Sequence, residues 1–202
     1  MKHSLTRRTI HTAFQQRGVT LIELMVAVAV MGVLLAVGVP SFQSFIASSR
    51  ITTTNNDFVS AMALARSEAI RRGTRITVCK SATGAACVTT GDWAQGWIVF
   101  VDTTRAPPNA AVDAGEAIVS RSQAVPAGLT IAGDAALANF ISFSPDGTVR
   151  DMSGAALQGR VRVCSNSSSL DNGRRARDIT LASTGRLTTT TPASVAATCP
   201  LT

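Results

Sequence analysis

Tyrosine is absent from this chain of 202 residues, and all aromatics together make up 4% of it. Stacking of nucleobases on exposed rings therefore has little to work with. Histidine occurs only at His3 and His11, so beyond position 11 no Ser–His or Cys–His nucleophile can be assembled. Neither a P-loop nor a G-x-G-x-x-G string is present. Long apolar runs are equally scarce. The single example is LMVAVAVMGVLLAVGV at residues 24–39, which carries no charge. Its presence argues against a purely cytosolic enzyme, and its being the only one argues against a multispan membrane protein. A hydrophobic content of 46% argues against disorder. The length suits one compact domain with an appendage, not two full-sized domains. These absences predict a non-enzyme with no cofactor, no metal and no small-molecule substrate.

What is present begins with a basic front end. Residues 1–18 contain Lys2, Arg7, Arg8 and Arg17 and no acid. Preceding the apolar run, they belong on the cytoplasmic side by the positive-inside rule. An ordinary secretory signal places a small-residue cleavage site after its apolar run. Here that position holds Val37, Gly38, Val39 and Pro40, and the junction Gly18-Val19-Thr20-Leu21-Ile22-Glu23 lies before the run instead. Glu23 stands alone near the start of a segment able to span a bilayer, where a carboxylate is costly unless paired.

The string RGVTLIELMVAVAVMGVLLAVGVPSF closely resembles the N-terminus of type IV pilins and type II secretion pseudopilins. The resemblance implies cleavage after Gly18 by a prepilin peptidase and N-methylation of Val19. Glu23, fifth after the cut, takes the place of the family's assembly carboxylate, and Pro40 that of a frequent helix proline. Val19 departs from the usual Phe or Met. A buried carboxylate is tolerable only when paired. The methylated amine of a neighbouring Val19 is the available cation, and such a pair selects axial register more than it adds stability.

Past the run, Phe42, Phe45, Ile46, Phe58, Met62, Ala65 and Ala69 recur at mostly three- and four-residue spacing, the signature of one helical face. Gly73 reads as the helix C-cap, with Arg71 and Arg72 favourably placed in the last turn. Gly38 and Pro40 predict a kink or local melting, and ITTTNND at residues 51–57, poor helix formers, predict a bend. After Gly73 the pattern becomes strand-like over 74–79, 96–101, 117–120, 129–131, 140–143, 160–164, 178–182 and 186–190. Pro145-Asp146-Gly147 reads as a turn. The predicted class is α+β: a long N-terminal helix, half transmembrane and half amphipathic, packed on a C-terminal antiparallel β-sheet domain. Its parts are a leader at 1–18, a transmembrane and assembly helix at 19–40, an amphipathic half at 41–73 and a β-rich domain at 74–202.

The strings RSEAIRRG, GWIVFVD, FSPDGTV and STGRL resemble, in order, the FimT/GspH branch of minor pilins, closest to its FimT side. The resemblance implies a single-pass protein of the bacterial inner membrane, with its globular domain in the periplasm and an extracellular pilus as its destination. Other pilins and the prepilin peptidase would be its partners. Cys79, Cys87, Cys164 and Cys199 all follow the apolar run, in a compartment where disulfides persist. They allow three connectivities. A local bridge between Cys79 and Cys87 would span KSATGAA, and one between Cys164 and Cys199 would tie down the tail. Asp102, Asp113 and Glu116 lack the spacing of a calcium loop and read as turn formers.

Without residues 1–18 the net charge falls from +7 to +3, so distribution matters more than total. Arg174, Arg175 and Arg177 follow a Ser/Asn-rich loop, and Arg186 follows the next turn. Read together they predict one arginine surface suited to bidentate phosphate binding, hence sequence-independent contact with DNA. The DNA-binding members that this branch resembles carry G-R-x-R near the C-terminus. Gly185-Arg186-Leu187-Thr188 matches by position but has Thr for the second Arg. Gly159-Arg160-Val161-Arg162 matches by letters in an earlier strand. The alternative is a solvated basic edge that discourages strand pairing. Three roles compete: a minor pilin contacting DNA in natural transformation, a structural minor pilin priming assembly, and a minor pseudopilin of type II secretion.

Overall fold

The computed structural model describes residues 18–105 and 107–201. The leader, except Gly18, lies outside the described residues. The chain forms two compact units that meet between Pro40 and Ser41.

In the first unit, α1 (Leu21–Arg72) begins with a capping arrangement. Thr20 accepts from the Glu23 amide at 3.3 Å through Oγ1 and from the Leu24 amide at 3.1 Å through its carbonyl. Thr-x-x-Glu is the capping-box pattern, which satisfies amides that the first turn leaves unpaired. Large apolar side chains from Val19 to Val39 are exposed. The backbone stays helical through Pro40 rather than melting, because one missing donor leaves the flanking bonds intact.

The second unit starts with the remainder of α1. Ile51, Thr54, Asn55, Phe58, Met62, Ala65 and Ala69 are its buried face. The helix runs on without a break through ITTTNND. Burying Ile51, Thr54 and Asn55 against the sheets outweighs their weak helix propensity, as tertiary packing commonly does. Gly73 ends the helix at φ +62°, the left-handed conformation that glycine takes without strain.

The strands are β1 (Ile76–Lys80), β2 (Trp97–Val101), β3 (Ile118–Ser122), β4 (Leu129–Gly133), β5 (Phe140–Phe143), β6 (Gly159–Ser165), β7 (Ala176–Leu181) and β8 (Leu187–Thr190). They form two four-stranded antiparallel sheets, ordered β3-β2-β1-β5 and β4-β6-β7-β8, where strand patterning alone suggested one sheet domain. Burial of most of β2 explains its unbroken apolar run, whereas β1 is buried throughout with Thr77 and Lys80 included. Phe58 of α1 meets Trp93 and Trp97 edge-on at centroid distances of 5.3 and 5.2 Å. The Trp93 indole also donates to the Leu137 carbonyl at 3.0 Å, so this large buried ring leaves no polar atom unpaired.

Candidate functional site

Gly18, Val19 and Thr20 precede the first helical residue, and all three are exposed. The junction between Gly18 and Val19 is thus non-helical backbone. Glu23 follows one turn later on a surface of exposed Val19, Leu21, Ile22, Leu24 and Met25. No other acid occurs before Asp57. Thr20 was not singled out from sequence, although Thr-x-x-Glu ahead of an apolar run is a signal that could have found it.

The arginines do not form one surface. Arg175 is buried, only 5% exposed, and serves the fold. Its guanidinium donates to the Ser165 carbonyl at 3.1 Å, the Ser167 carbonyl at 3.3 Å, the Leu170 carbonyl and Asn172 Oδ1. It pins the loop between β6 and β7 and spends four of its five N–H donors there. Arg177 is half-buried and donates to the carbonyls of Arg174 and Ala176. Arg174 is exposed and lies beside Ser41, Ser44, Ser48 and Thr52 of α1. Arg186 is also exposed but sits at the other end of β7, where the Ala182 amide donates to its carbonyl. From Arg177 to Leu181 the strand advances about 13 Å. The neighbouring Gly185 rests against Arg66, and Ser48 to Arg66 is about 27 Å along the helix. Arg174 and Arg186 thus stand at opposite ends of β7, and the four residues do not converge on a single phosphate.

Gly159-Arg160-Val161-Arg162 is likewise structural. Strand alternation puts Arg160 and Arg162 on one face of β6. Arg162 pairs with Asp178 of β7 through Nε–Oδ1 at 2.6 Å and Nη2–Oδ2 at 2.8 Å, and it also donates to the Pro200 carbonyl. Hydrogen bonding to Asp178 raises the Arg162 pKa. Arg160 Nη1 stands 3.7 Å from the same carboxylate. Disulfides join Cys79 to Cys87 and Cys164 to Cys199. The second holds the C-terminal tail beside Arg162. The first closes residues 79–87, and buried Lys80 braces the segment just beyond, donating to the carbonyls of Thr89 and Gly91 at 3.1 and 2.8 Å. Among the described residues no three His, Cys, Asp or Glu side chains cluster as metal ligands. Asp102 is buried and accepts from Thr77 Oγ1 at 2.5 Å, with burial pushing its carboxyl pKa up. Glu116 accepts the Thr103, Thr104 and Asp113 amides, which bind a turn together.

Three of the strings singled out in sequence converge on one clasp. Arg66, from RSEAIRRG, donates to the Gly185 and Thr184 carbonyls, each at 3.1 Å. Gly147, from FSPDGTV, packs so tightly that an added Cβ would meet Ile70 at 2.9 Å. Gly185, from STGRL, has φ +79°, and a Cβ there would collide with the Gly147 carbonyl oxygen. The Val149 amide completes the junction by donating to the Ser183 carbonyl at 2.8 Å, joining the β5 side to the second sheet. Gly185→Ala should therefore destabilise the fold by about 1–3 kcal/mol from backbone strain alone. A lowered urea midpoint of the detergent-solubilised chain, read by Trp fluorescence, would show it.

A family model described as type II transport protein GspH matches residues 54–185, from the buried helix face to the clasp. The chain belongs to the GspH family. The prokaryotic N-terminal methylation motif matches residues 14–39 of this GspH-family chain. A fimbrial protein of Pseudomonas aeruginosa is 41% identical over 61 residues, which are 30% of this chain and 39% of that protein. The type IV major fimbrial protein FimA of Dichelobacter nodosus is 49% identical over 37 residues, 18% of this chain and 24% of the relative. The chain thus spans well under half the length of these curated relatives. The crystal structure of the type IV minor pilin FimU of Pseudomonas aeruginosa aligns with a TM-score of 0.47 and 20% identity, over 71% of this chain and 98% of that one.

Proposed function

We propose that this GspH-family chain is a membrane-anchored precursor cut between Gly18 and Val19, whose mature form is a minor structural subunit of a helical pilin filament. The observation that carries this reading is the exposed apolar surface of Val19 to Val39 with Glu23 as its only acid. An apolar surface this long has two suitable environments, a bilayer and a bundle of like helices. The first holds the subunit before assembly, and the second holds it in the filament. The fimbrial names of the matched relatives favour a type IV pilus, against the type II transport description of the family model. The dispersed arginines supply no phosphate-gripping patch, so a structural role is favoured over DNA uptake in natural transformation.

Processing is the direct test. Mass spectrometry of the mature protein should find an N-methylated Val19 as its first residue. Gly18→Glu should leave the precursor uncut in the membrane, because a long charged side chain replaces hydrogen at the scissile junction. Retention of Met1 in the mature wild-type protein, or cleavage after Pro40, would overturn the reading.

A further inference from the structure

Among the described residues the buried arginines are Arg75, Arg162 and Arg175, none more than 6% exposed. Two of them are well supplied with acceptors. Arg162 has Asp178 and the Pro200 carbonyl, and Arg175 has three carbonyls and Asn172. Arg75 is the exception. Its Nη1 reaches only the Met152 sulfur, at 3.7 Å, and its Nη2 is buried with no hydrogen-bond partner. A thioether is a weak acceptor. A guanidinium cannot shed its charge, and a buried charge without partners is costly. Arg75 lines a hollow of about 280 Å³ with Gly73, Thr74, Asp102, Thr103, Arg105 and Pro145, all within the second unit. Arg105 is exposed, and neither Arg75 nor Arg105 makes an ion pair among the described residues. Burial and the like charge of Arg105 hold the Arg75 pKa down.

The acids around the hollow are engaged elsewhere. Asp102 accepts from Thr77 Oγ1, and burial pushes its carboxyl pKa up, towards the neutral form. Asp151 accepts from the Ser153 hydroxyl and the Ala155 amide, at 2.6 and 2.9 Å. Asp113 and Glu116 are held in their own turn by Thr103 and Thr104. We infer that the hollow is a binding site for a carboxylate, which bridges Arg75 and Arg105. A carboxylate has two oxygens, one for each guanidinium, and Thr74 adds a hydroxyl. It brings a single negative charge. A phosphate dianion would bring more, beside acids that already repel it. Nη2 lies beneath the surface, so the ligand must be slender. Exposed side chains change rotamer within nanoseconds, and Arg105 can swing aside to admit it. The carboxyl group belongs either to a small organic acid or to an Asp, a Glu or a chain end of another protein.

The test uses the full chain in detergent micelles with isotope-labelled arginine, and reads the guanidinium signals by NMR. Acetate, added at constant ionic strength, should shift the Arg75 and Arg105 signals saturably. Acetamide, its neutral counterpart, should not. Arg105→Gln alters an exposed side chain, so it should keep the native Trp fluorescence. It should weaken acetate binding by about tenfold, the share of one charge-assisted hydrogen bond. Arg75→Gln should abolish binding, and where that variant does not fold the Arg105→Gln result decides. Arg174→Gln is the control, since Arg174 borders Thr52 and from there to Gly73 is about 30 Å along α1. It should bind acetate as the parent does. No saturable shift, an equal response to acetamide, or an equal loss in Arg174→Gln overturns the inference. Tighter binding of inorganic phosphate than of acetate overturns it in favour of a phosphate site. Phenylglyoxal, which modifies accessible guanidiniums, then separates the two sources. Protection of Arg105 in assembled filaments with no acid added assigns the carboxylate to a neighbouring subunit. Modification there as fast as in the unassembled chain assigns it to a free acid.

Discussion

Asp178→Ala should destabilise the β unit by about 3–5 kcal/mol, the cost of removing one partner from a buried ion pair. Both side chains of the Arg162–Asp178 pair are only 7% exposed. Removing the carboxylate strands a buried guanidinium that cannot shed its charge and takes a counter-ion from Arg160 as well. The pair is not itself a large source of stability, since desolvation offsets most of the attraction. Replacing both partners, with Arg162→Met and Asp178→Leu together, should therefore recover most of the loss. Urea unfolding followed by Trp93 and Trp97 fluorescence, with the tail disulfide kept oxidised, measures both variants. Equal losses in the single and double variants would mean that the carbonyl contact from Arg162 to the tail matters more than the pair.

The expected arginine surface shows where sequence stops being informative. The helix face of Phe58, Met62, Ala65 and Ala69 was legible because 3.6-residue periodicity is a local property, and its burial follows from it. The strands were legible within a few residues for the same reason. Gly73 and the turn at Pro145-Asp146-Gly147 were legible from backbone chemistry. The destination of a guanidinium is a different matter. Arg175 is consumed by carbonyls at Ser165, Ser167 and Leu170, which nothing in its own neighbourhood announces. Arg162 is consumed by a carboxylate one strand away, and the β6–β7 register decides that. Arg66 lies in the string RSEAIRRG, yet it closes a clasp on Thr184 and Gly185 far along the chain. Strand patterning likewise specified strands without saying that they divide between two sheets. In each case the missing information is which distant backbone comes near.

Glu23→Ala should leave membrane insertion intact and lower incorporation into filaments by at least about a hundredfold, the equilibrium equivalent of a buried pair broken at about 3 kcal/mol. Insertion should survive because alanine is cheaper in hydrocarbon than a carboxylate. Incorporation should fall because, with Val19 as the proposed methylated first residue, each subunit then brings a charged amine into a bundle of apolar helices without a counter-ion. The same substitution also removes the acid from the first turn, where negative charge suits the helix dipole, beside the Thr20 cap. Thr20→Ala separates the two effects. It weakens the cap by about 1 kcal/mol and keeps the carboxylate. Incorporation near the wild-type level for Thr20→Ala beside a strong loss for Glu23→Ala assigns the effect to charge pairing. Glu23→Gln sharpens the assignment, because an amide keeps the size and hydrogen-bonding capacity but not the charge, and it should fail nearly as completely as alanine. Equal defects in Thr20→Ala and Glu23→Ala would reduce Glu23 to a helix cap, and normal filaments containing Glu23→Ala would remove its role in assembly altogether. Pulldown of tagged subunits from sheared filaments, set against their amount in the membrane fraction, gives the ratio that decides.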